Sequence, residues 1–331
     1  MNLLSQKRVF ITWAEHNSRS RSLAYHLEAK NYFIQKINSK SKFLAPLKYI
    51  LNTIVTLNVL NKENPDVVFI VNPPVFAVLV VWMYSIFHNS VYIVDTHSAA
   101  FTAKRWSIFL WLYRFLSKRA LVNILHNEVL EQKVARWGSL TTKLYCYIQP
   151  RAGKTYPLRK GFNVVFISLY SKDEPLEEVI EAARKMPRVN FYITGSLARA
   201  PKSIINKAPD NIIFTDFLSD EKYGALLRDC DIAICLTKND NTVQGGASEA
   251  LALKRPIITS NWPVLEDVYY KGAICIDNTS DSIVNAIGQI RYDYPRYLQE
   301  IEELQVEFKK IWQKDFSKLL RVLDNWSDKK Y

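Results

Sequence analysis

The sequence predicts two doubly wound α/β domains in one chain, and three observations carry that expectation. At 331 residues the chain is long for one core and comfortable for two of about 150 residues each. Short apolar runs alternate with amphipathic stretches from Lys7 onward, which is the order of a parallel sheet wrapped by helices. The alternation pauses once, at Gln149 to Gly161 (QPRAGKTYPLRKG), where Pro, Gly and basic residues collect as they do in linkers, and then restarts.

In chain order, KRVFITW (Lys7 to Trp13) reads as a buried strand, AEHNSRSR as a polar loop, SLAYHLEAK as a helix and YFIQKI (Tyr32 to Ile37) as a second strand. Residues 41–60 have apolar positions at helical spacing, with Lys40, Lys42 and Lys48 near the start. DVVFIV, VYIVDT and LVNILH supply further strands, each followed by a helical stretch. Val67 to His88 runs for 22 residues without a formal charge before its terminal His, about the length of a bilayer span. Asn72-Pro73-Pro74 breaks that run after six residues, so it reads as strand, turn and buried helix. TAKRWSIFLWLYRFLSKRA (Thr102 to Ala120) reads as one helix mixing aromatic and basic residues, a composition suited to a membrane interface or to a core stripe with a solvated basic face.

After the linker come NVVFIS, the helix EPLEEVIEAARKM, NFYITG, NIIFTDF, the helix DEKYGALLRDC, DIAICL, PIITS, AICID and a helix from Ser280. The 19 residues from 237 to 255 are enough for a parallel crossover between DIAICL and PIITS. Both halves are thus expected to be Rossmann-like: an N-terminal domain over 1–150, a C-terminal domain over 162–293, and a helical segment over 294–331 able to pack back across both.

The net charge of +12 is unevenly spread. Residues 1–150 carry 18 Lys and Arg against 7 Asp and Glu, while residues 151–331 carry 26 against 25. A basic half facing a neutral one suggests an anionic partner, either an acidic membrane surface or nucleic acid. No recognised nucleic-acid module is present, so a specific nucleic-acid partner is not expected. Cys146, Cys230, Cys235 and Cys275 form no Cys-x2-Cys pair and suit reduced, buried thiols. MNLLSQKRVFITW leads directly into a strand with no apolar signal region, so the expected location is cytoplasmic.

The chemistry centres on Asn241 to Ser260 (NTVQGGASEALALKRPIITS). Gly245 and Gly246 allow close backbone approach, and the free N–H groups of a helix start favour an anion there. Glu249 then lies within the first turn, beside that anion; a plain cap and turn would also explain these residues. Open α/β sheets bind ligands at the carboxyl ends of their strands, which places the expected site in a cleft between the domains. Loops at that level carry His16, His97 and His126, but no ligand spacing supports a zinc site, so no metal is expected. Asp95 and His97 lie just past a strand, where either can act as a general base or hold a hydroxyl.

GGASEALALKRPIITS resembles the signature of group 4-type glycosyltransferases of the GT-B fold. DVVFIVNPPVFAV and YIVDTHSAAF resemble the N-terminal domain of the chitobiosyl-diphosphodolichol β-mannosyltransferases and their bacterial relatives. The resemblance implies a nucleotide-sugar co-substrate, UDP- or GDP-linked, with no other cofactor, and a lipid-linked or glycan acceptor at the inner face of a membrane. It implies that Gly245, Gly246, Ala247 and Ser248 present N–H groups to the diphosphate and that Glu249 accepts from the ribose. His97 would lie beside the transferred sugar, Gly195 and Phe217 would flank the nucleobase, and His16, Asn17, Ser18 and Arg19 would face the acceptor and diphosphate. Two departures stand out. Asn241 replaces a glutamate of the family, and a family arginine is absent after the first strand of the second domain, leaving Lys172, Lys238 or Arg19 to balance a diphosphate. A nucleotide-sugar 2-epimerase of the same fold and an inactive partner subunit are the alternatives.

Overall fold

A computed structural model describes residues 6–37, 42–148 and 153–330. Lys40 and residues 149–152 of the linker lie outside the described residues. The chain divides into two compact units, residues 1–146 with 311–331 and residues 147–310.

The first unit holds β1 (Arg8–Thr12), β2 (Lys30–Phe33), β3 (Val67–Asn72), β4 (Val91–Thr96), β5 (Val122–Leu125) and β6 (Thr141–Lys143), all parallel, in the order β2-β1-β3-β4-β5-β6. Its helices are α1 (Ser18–His26), α2 (Ala45–Glu63), α3 (Val75–Phe87), α4 (Ala99–Thr102), α5 (Lys104–Ser107), α6 (Leu110–Ser117) and α7 (Glu128–Ala135). Winding reverses at β1, so the loops after β1 and β3 open onto one crevice at the carboxyl edge. One face of the sheet, with Val9, Ile11, Val68, Ile70, Tyr92 and Val94, packs against helix residues such as Val78, Val81, Tyr113 and Leu116.

The second unit holds β7 (Phe162–Phe166), β8 (Val189–Ile193), β9 (Ile212–Phe214), β10 (Ile232–Cys235), β11 (Ile257–Ser260) and β12 (Ala273–Ile276), ordered β12-β11-β10-β7-β8-β9. Counted from β7 this is the 3-2-1-4-5-6 order of dinucleotide-binding sheets, with its switch point between β7 and β10. The helices are α8 (Leu176–Lys185), α9 (Lys202–Ile205), α10 (Asp220–Asp229), α11 (Gly245–Ala252), α12 (Pro263–Glu266), α13 (Ser280–Tyr292) and the start of α14 (Tyr294–Lys330), whose residues from Ile311 on belong to the first unit. Tyr297, Ile301, Leu304, Phe308, Trp312, Leu319 and Leu323 of α14 are all buried, a spacing that keeps one stripe inward from Tyr297 to Leu323.

Several boundaries differ from expectation. The second strand is Lys30–Phe33 rather than 32–37, and the three-residue β6 gave no usable sequence signal. Thr102 to Ala120 is not one helix: tight turn bonds from Trp106 N–H to Ala103 O (2.8 Å) and Phe109 N–H to Trp106 O (2.9 Å) split it into α5 and α6. The linker's described end is not a loose tether. Tyr156 N–H donates to Asp229 (2.7 Å), Arg228 donates to the Gly153 carbonyl (2.8 Å), and a Cβ on Gly153 would collide with the Glu221 backbone. No helix among the described residues is long and apolar enough to cross a membrane.

Candidate active site

In the second unit the site is built at the β7/β10 switch point. After β7 the chain turns through Ser168 to Asp173, and this turn is held by Glu174. The Glu174 carboxylate accepts from Ser168 Oγ (2.6 Å), Leu169 N–H (3.0 Å) and Ser171 N–H (3.2 Å). Burial raises the Glu174 carboxyl above its ordinary value, and those donors oppose the rise. Asp173 ties this turn to the loop after β10: its carboxylate accepts from Thr237 Oγ1 (3.1 Å) and Asn239 Nδ2 (3.0 Å), and its carbonyl accepts from Lys238 N–H (2.7 Å). Trp262 Nε1 and Asn278 Nδ2 both donate to the Thr237 carbonyl.

From that braced loop the chain enters α11. Gln244 is its N-cap residue, with its side chain donating to the Leu236 carbonyl (2.9 Å) rather than capping the helix. The first-turn N–H groups are therefore left without a side-chain cap. The two glycines play different parts. A Cβ on Gly245 would meet nothing within 4 Å, so this backbone faces open space. A Cβ on Gly246 would sit 2.7 Å from Ile167 Cγ2, so the missing side chain at this glycine lets α11 close onto the end of β7. Ala247 and Ser248 are buried, and Ser248 Oγ lies 3.2 Å from Tyr269 Oη.

Glu249, one turn into α11, accepts a 2.6 Å hydrogen bond from Tyr223 of α10. Burial, then the neighbouring carboxylate, hold the Tyr223 hydroxyl well above its ordinary value, so it remains a donor. Tyr223 was not anticipated; the only signal was its apolar phase within DEKYGALLRDC. Gly195 has φ +106°, and a Cβ there would lie 2.5 Å from the Ser168 carbonyl, so only glycine suits the turn after β8. Phe217 stands 71% exposed beyond β9. Lys172 is exposed, as is Lys238, whose Nζ is 3.7 Å from Glu178. Asn241 lies in the turn between β10 and α11.

In the first unit, Asp95 at the end of β4 is fully buried. Arg19 binds both its oxygens, with Nε at 3.1 and 3.2 Å and an Nη at 2.9 Å. The imidazole Nε2 atoms of His97 and His126 approach Asp95 at 3.6 and 3.8 Å, with the two rings 4.6 Å apart. Burial would raise the Asp95 carboxyl, but Arg19 and the two imidazoles outweigh it and hold the group well below the usual carboxylate range. Burial, then the charges of Arg19 and His97, push His126 down to about 3, so its ring is neutral near pH 7.

This geometry revises two expectations. Asp95 is not placed to take a proton from a substrate, because it is buried and saturated by Arg19, so of the pair only the partly exposed His97 is available. Arg19 is not a free cation for a diphosphate, because its guanidinium is committed to Asp95. The ligand atoms of Asp95, His97 and His126 do lie within 4.8 Å of one another, as metal ligands do. A divalent ion there would share its one carboxylate with a buried guanidinium, which the charges disfavour. His16 does not join the cluster; its ring stacks 6.4 Å from Phe33, and its Nδ1 lies 2.9 Å from Arg21. Asn17 caps α1 through Ser20 N–H (2.9 Å), with Ser18 as the first helical residue.

Residues 161–293 match the model of the family described as glycosyl transferases group 1. That match lies wholly within the second unit and covers most of it. No curated protein sequence matches the chain. Among solved structures, sucrose-phosphate synthase from Thermosynechococcus elongatus is similar over 98% of this chain and 100% of its own, with a TM-score of 0.73 and 12% identity. Anabaena Alr3699/HepE in complex with UDP-glucose covers 95% of this chain and 99% of its own, with a TM-score of 0.70 and 13% identity. Trehalose-6-phosphate synthase OtsA covers 85% and 78%, with a TM-score of 0.65 and 14% identity. The fold is thus GT-B, with two parallel six-stranded sheets flanked by helices.

Proposed function

We propose that the protein transfers a sugar from a nucleotide-sugar, UDP- or GDP-linked, to a lipid-linked or polysaccharide acceptor at the cytoplasmic face of a membrane. The observation that carries this reading is the start of α11. Gly245 opens its backbone to space above an uncapped helix N-terminus, and Glu249 waits one turn on. An uncapped N-terminus favours a diphosphate through its N–H groups and dipole. It stabilises the charge that grows on the departing nucleoside diphosphate, with Lys172 or Lys238 adding positive charge. Glu249, oriented by Tyr223, accepts from ribose hydroxyls in this reading, and Asn241 lies on the donor side. Gly195 and Phe217 then flank the base. His97 is the catalytic group in this reading. Asp95 and Arg19 position it, and His97 serves as the base in an inverting reaction or orients the sugar in a retaining one.

The complexes of Alr3699/HepE with UDP-glucose and with UDP support a uridine donor by analogy of fold. The acceptor follows from the basic first half and from the resemblance of its β3 and β4 segments to enzymes of lipid-linked sugars. Titration calorimetry with UDP and GDP tests the donor half: one of them binds, and Glu249→Ala weakens it at least tenfold. Failure of both to bind would sink the reading. Incubation with UDP-, GDP- and dTDP-sugars, scored by nucleotide release with and without membrane extract, tests the acceptor; turnover indifferent to extract would favour an epimerase instead.

A further inference from the structure

The helices α2, α3 and α6 lie side by side on the same face of the first sheet, joined through Tyr49, Phe76, Trp106 and Phe109 at ring separations of 5.0 to 6.4 Å. Their inner sides fill the core. Their outer sides are where apolar surface is left in water. Of the twenty large apolar residues exposed among the described residues, eleven belong to these helices and the turns leading into them. On α2 they fall at Leu47, Ile50 and Ile54, which is one helical stripe. On α3 they gather at the end, at Met83, Ile86 and Phe87, the last 82% exposed. Along α5 and α6 the exposed stripe reads Lys104, Ile108, Trp111, Phe115, Lys118, with apolar side chains in the middle and a lysine at each end. A solvated basic face over a core stripe would put the aromatics inside; Trp111 is 69% exposed.

Charge identifies the occupant. From residue 29 to residue 127 the chain carries eleven Lys and Arg and only three acids, Glu63, Asp66 and Asp95, of which Asp95 is buried. A protein partner covering this much apolar surface would not need a margin almost free of acids, whereas an anionic bilayer does. We infer that the outer face of α2, α3 and α6 seats in the interfacial layer of a membrane containing acidic lipids. Leu, Ile, Met, Phe and Trp side chains enter the acyl boundary, while Lys48, Lys104, Arg105, Arg114 and Lys118 meet headgroups. None of these helices crosses the layer. The inference rests on the reading that the acceptor is presented at a membrane, and it adds the surface that meets the membrane and the lipid chemistry it takes.

The test is co-sedimentation of the full chain with vesicles of phosphatidylcholine alone and of phosphatidylcholine with roughly a quarter phosphatidylglycerol. The wild type sediments with the acidic vesicles and is released by salt. The double variant Ile108→Glu with Trp111→Glu loses at least tenfold in vesicle affinity, and Lys104→Glu with Lys118→Glu loses the preference for phosphatidylglycerol. All four side chains are exposed, so melting curves of the variants should superpose on the wild type. Equal binding of the wild type to both vesicles, or undiminished binding by the double variant, would overturn the inference. So would a lipid-free dimer abolished by Trp111→Glu, which would give the face to a second copy. UDP and GDP titrations without vesicles are independent of this outcome, so a protein that binds nucleotide but not lipid, or the reverse, separates the two readings.

Discussion

Arg19 holds both carboxylate oxygens of Asp95, from the first turn of α1 to the end of β4, at 2.9 to 3.2 Å and out of contact with water. A bidentate pair of this kind fixes the β4 terminus, and with it the backbone of His97, whose N–H donates to the Asn72 carbonyl at 2.8 Å. Breaking one side of a buried pair strands the other charge. Arg19→Ala is therefore expected to cost roughly 3–5 kcal/mol in urea unfolding, more than Arg21→Ala, whose half-buried guanidinium meets His16 Nδ1 rather than a buried carboxylate.

The same cluster sets a pH dependence. His126 has a folded value near 3 against an ordinary 6.5, so between those limits the unfolded chain binds a proton that the folded chain refuses. Stability must then fall as pH drops below about 6.5, by up to roughly 1.4 kcal/mol per pH unit for this one group. Asp95 acts lower: its depressed value contributes stability that is present above the usual carboxylate range and lost as pH falls through the folded one. His26, whose value burial also lowers, adds to the upper window. Urea midpoints measured from pH 7.5 to 5 should decline, and His126→Gln should flatten that decline; a wild-type midpoint independent of pH would contradict the neutral, buried His126.

The paired glycines allow the ligand role and the packing role to be separated. Gly245→Ala adds a methyl to open space at a helix start and should leave the melting temperature unchanged or slightly raised, by about 0.5–1 kcal/mol in helix preference. Placed between α11 and a diphosphate, that methyl should still weaken nucleotide binding. Gly246→Ala pushes a methyl against Ile167 and should destabilise the fold by roughly 1–3 kcal/mol. Nucleotide titration beside thermal melting reads both effects. A Gly245→Ala protein that binds UDP and GDP as the wild type does would remove the backbone of α11 from the donor site.

Much of this was legible in the sequence because period and punctuation carry it. Each long strand is an apolar run buried on both faces, and α11 begins at Gly245, where the sequence changes from polar loop to ALAL. What was not legible depends on pairings between distant residues. Nothing in VYIVDTHSAAF indicates that Asp95 is buried against an arginine 76 positions earlier, which takes its carboxylate out of reach of a substrate. Nothing in GGASEA shows which glycine faces open space and which packs on Ile167. Tyr223 was hidden for the same reason, since its partner Glu249 lies 26 residues on and in another helix.

Tyr223 and Glu249 give a prediction that links fold to binding. The hydrogen bond is charge-assisted and its donor is buried, so Tyr223→Phe should cost roughly 1.5–3 kcal/mol of stability. Loss of this donor removes one restraint on the Glu249 side chain, and nucleotide affinity should fall several-fold even where the protein stays folded. Glu249→Gln keeps an acceptor for Tyr223 and should retain more stability than Glu249→Ala.

The end of α14 belongs to the first unit, and Trp312 shows why that matters. Its indole is 5% exposed, stacks on Phe316 at 4.6 Å and meets the His26 ring of α1 at 4.6 Å, while Leu319 and Leu323 further along are wholly buried. Trp312 and Phe316 thus pack on α1 through His26, so residues late in the chain join a first unit begun by early ones. Trp312→Ala should cost roughly 3–5 kcal/mol, and a chain ended at Lys310 should lose cooperative unfolding of the first unit. Two-probe denaturation distinguishes a local from a global effect. Tryptophan emission and far-ultraviolet dichroism should lose their common midpoint in Leu319→Ala. A truncated chain that melts as sharply as the full one would show the tail to be dispensable.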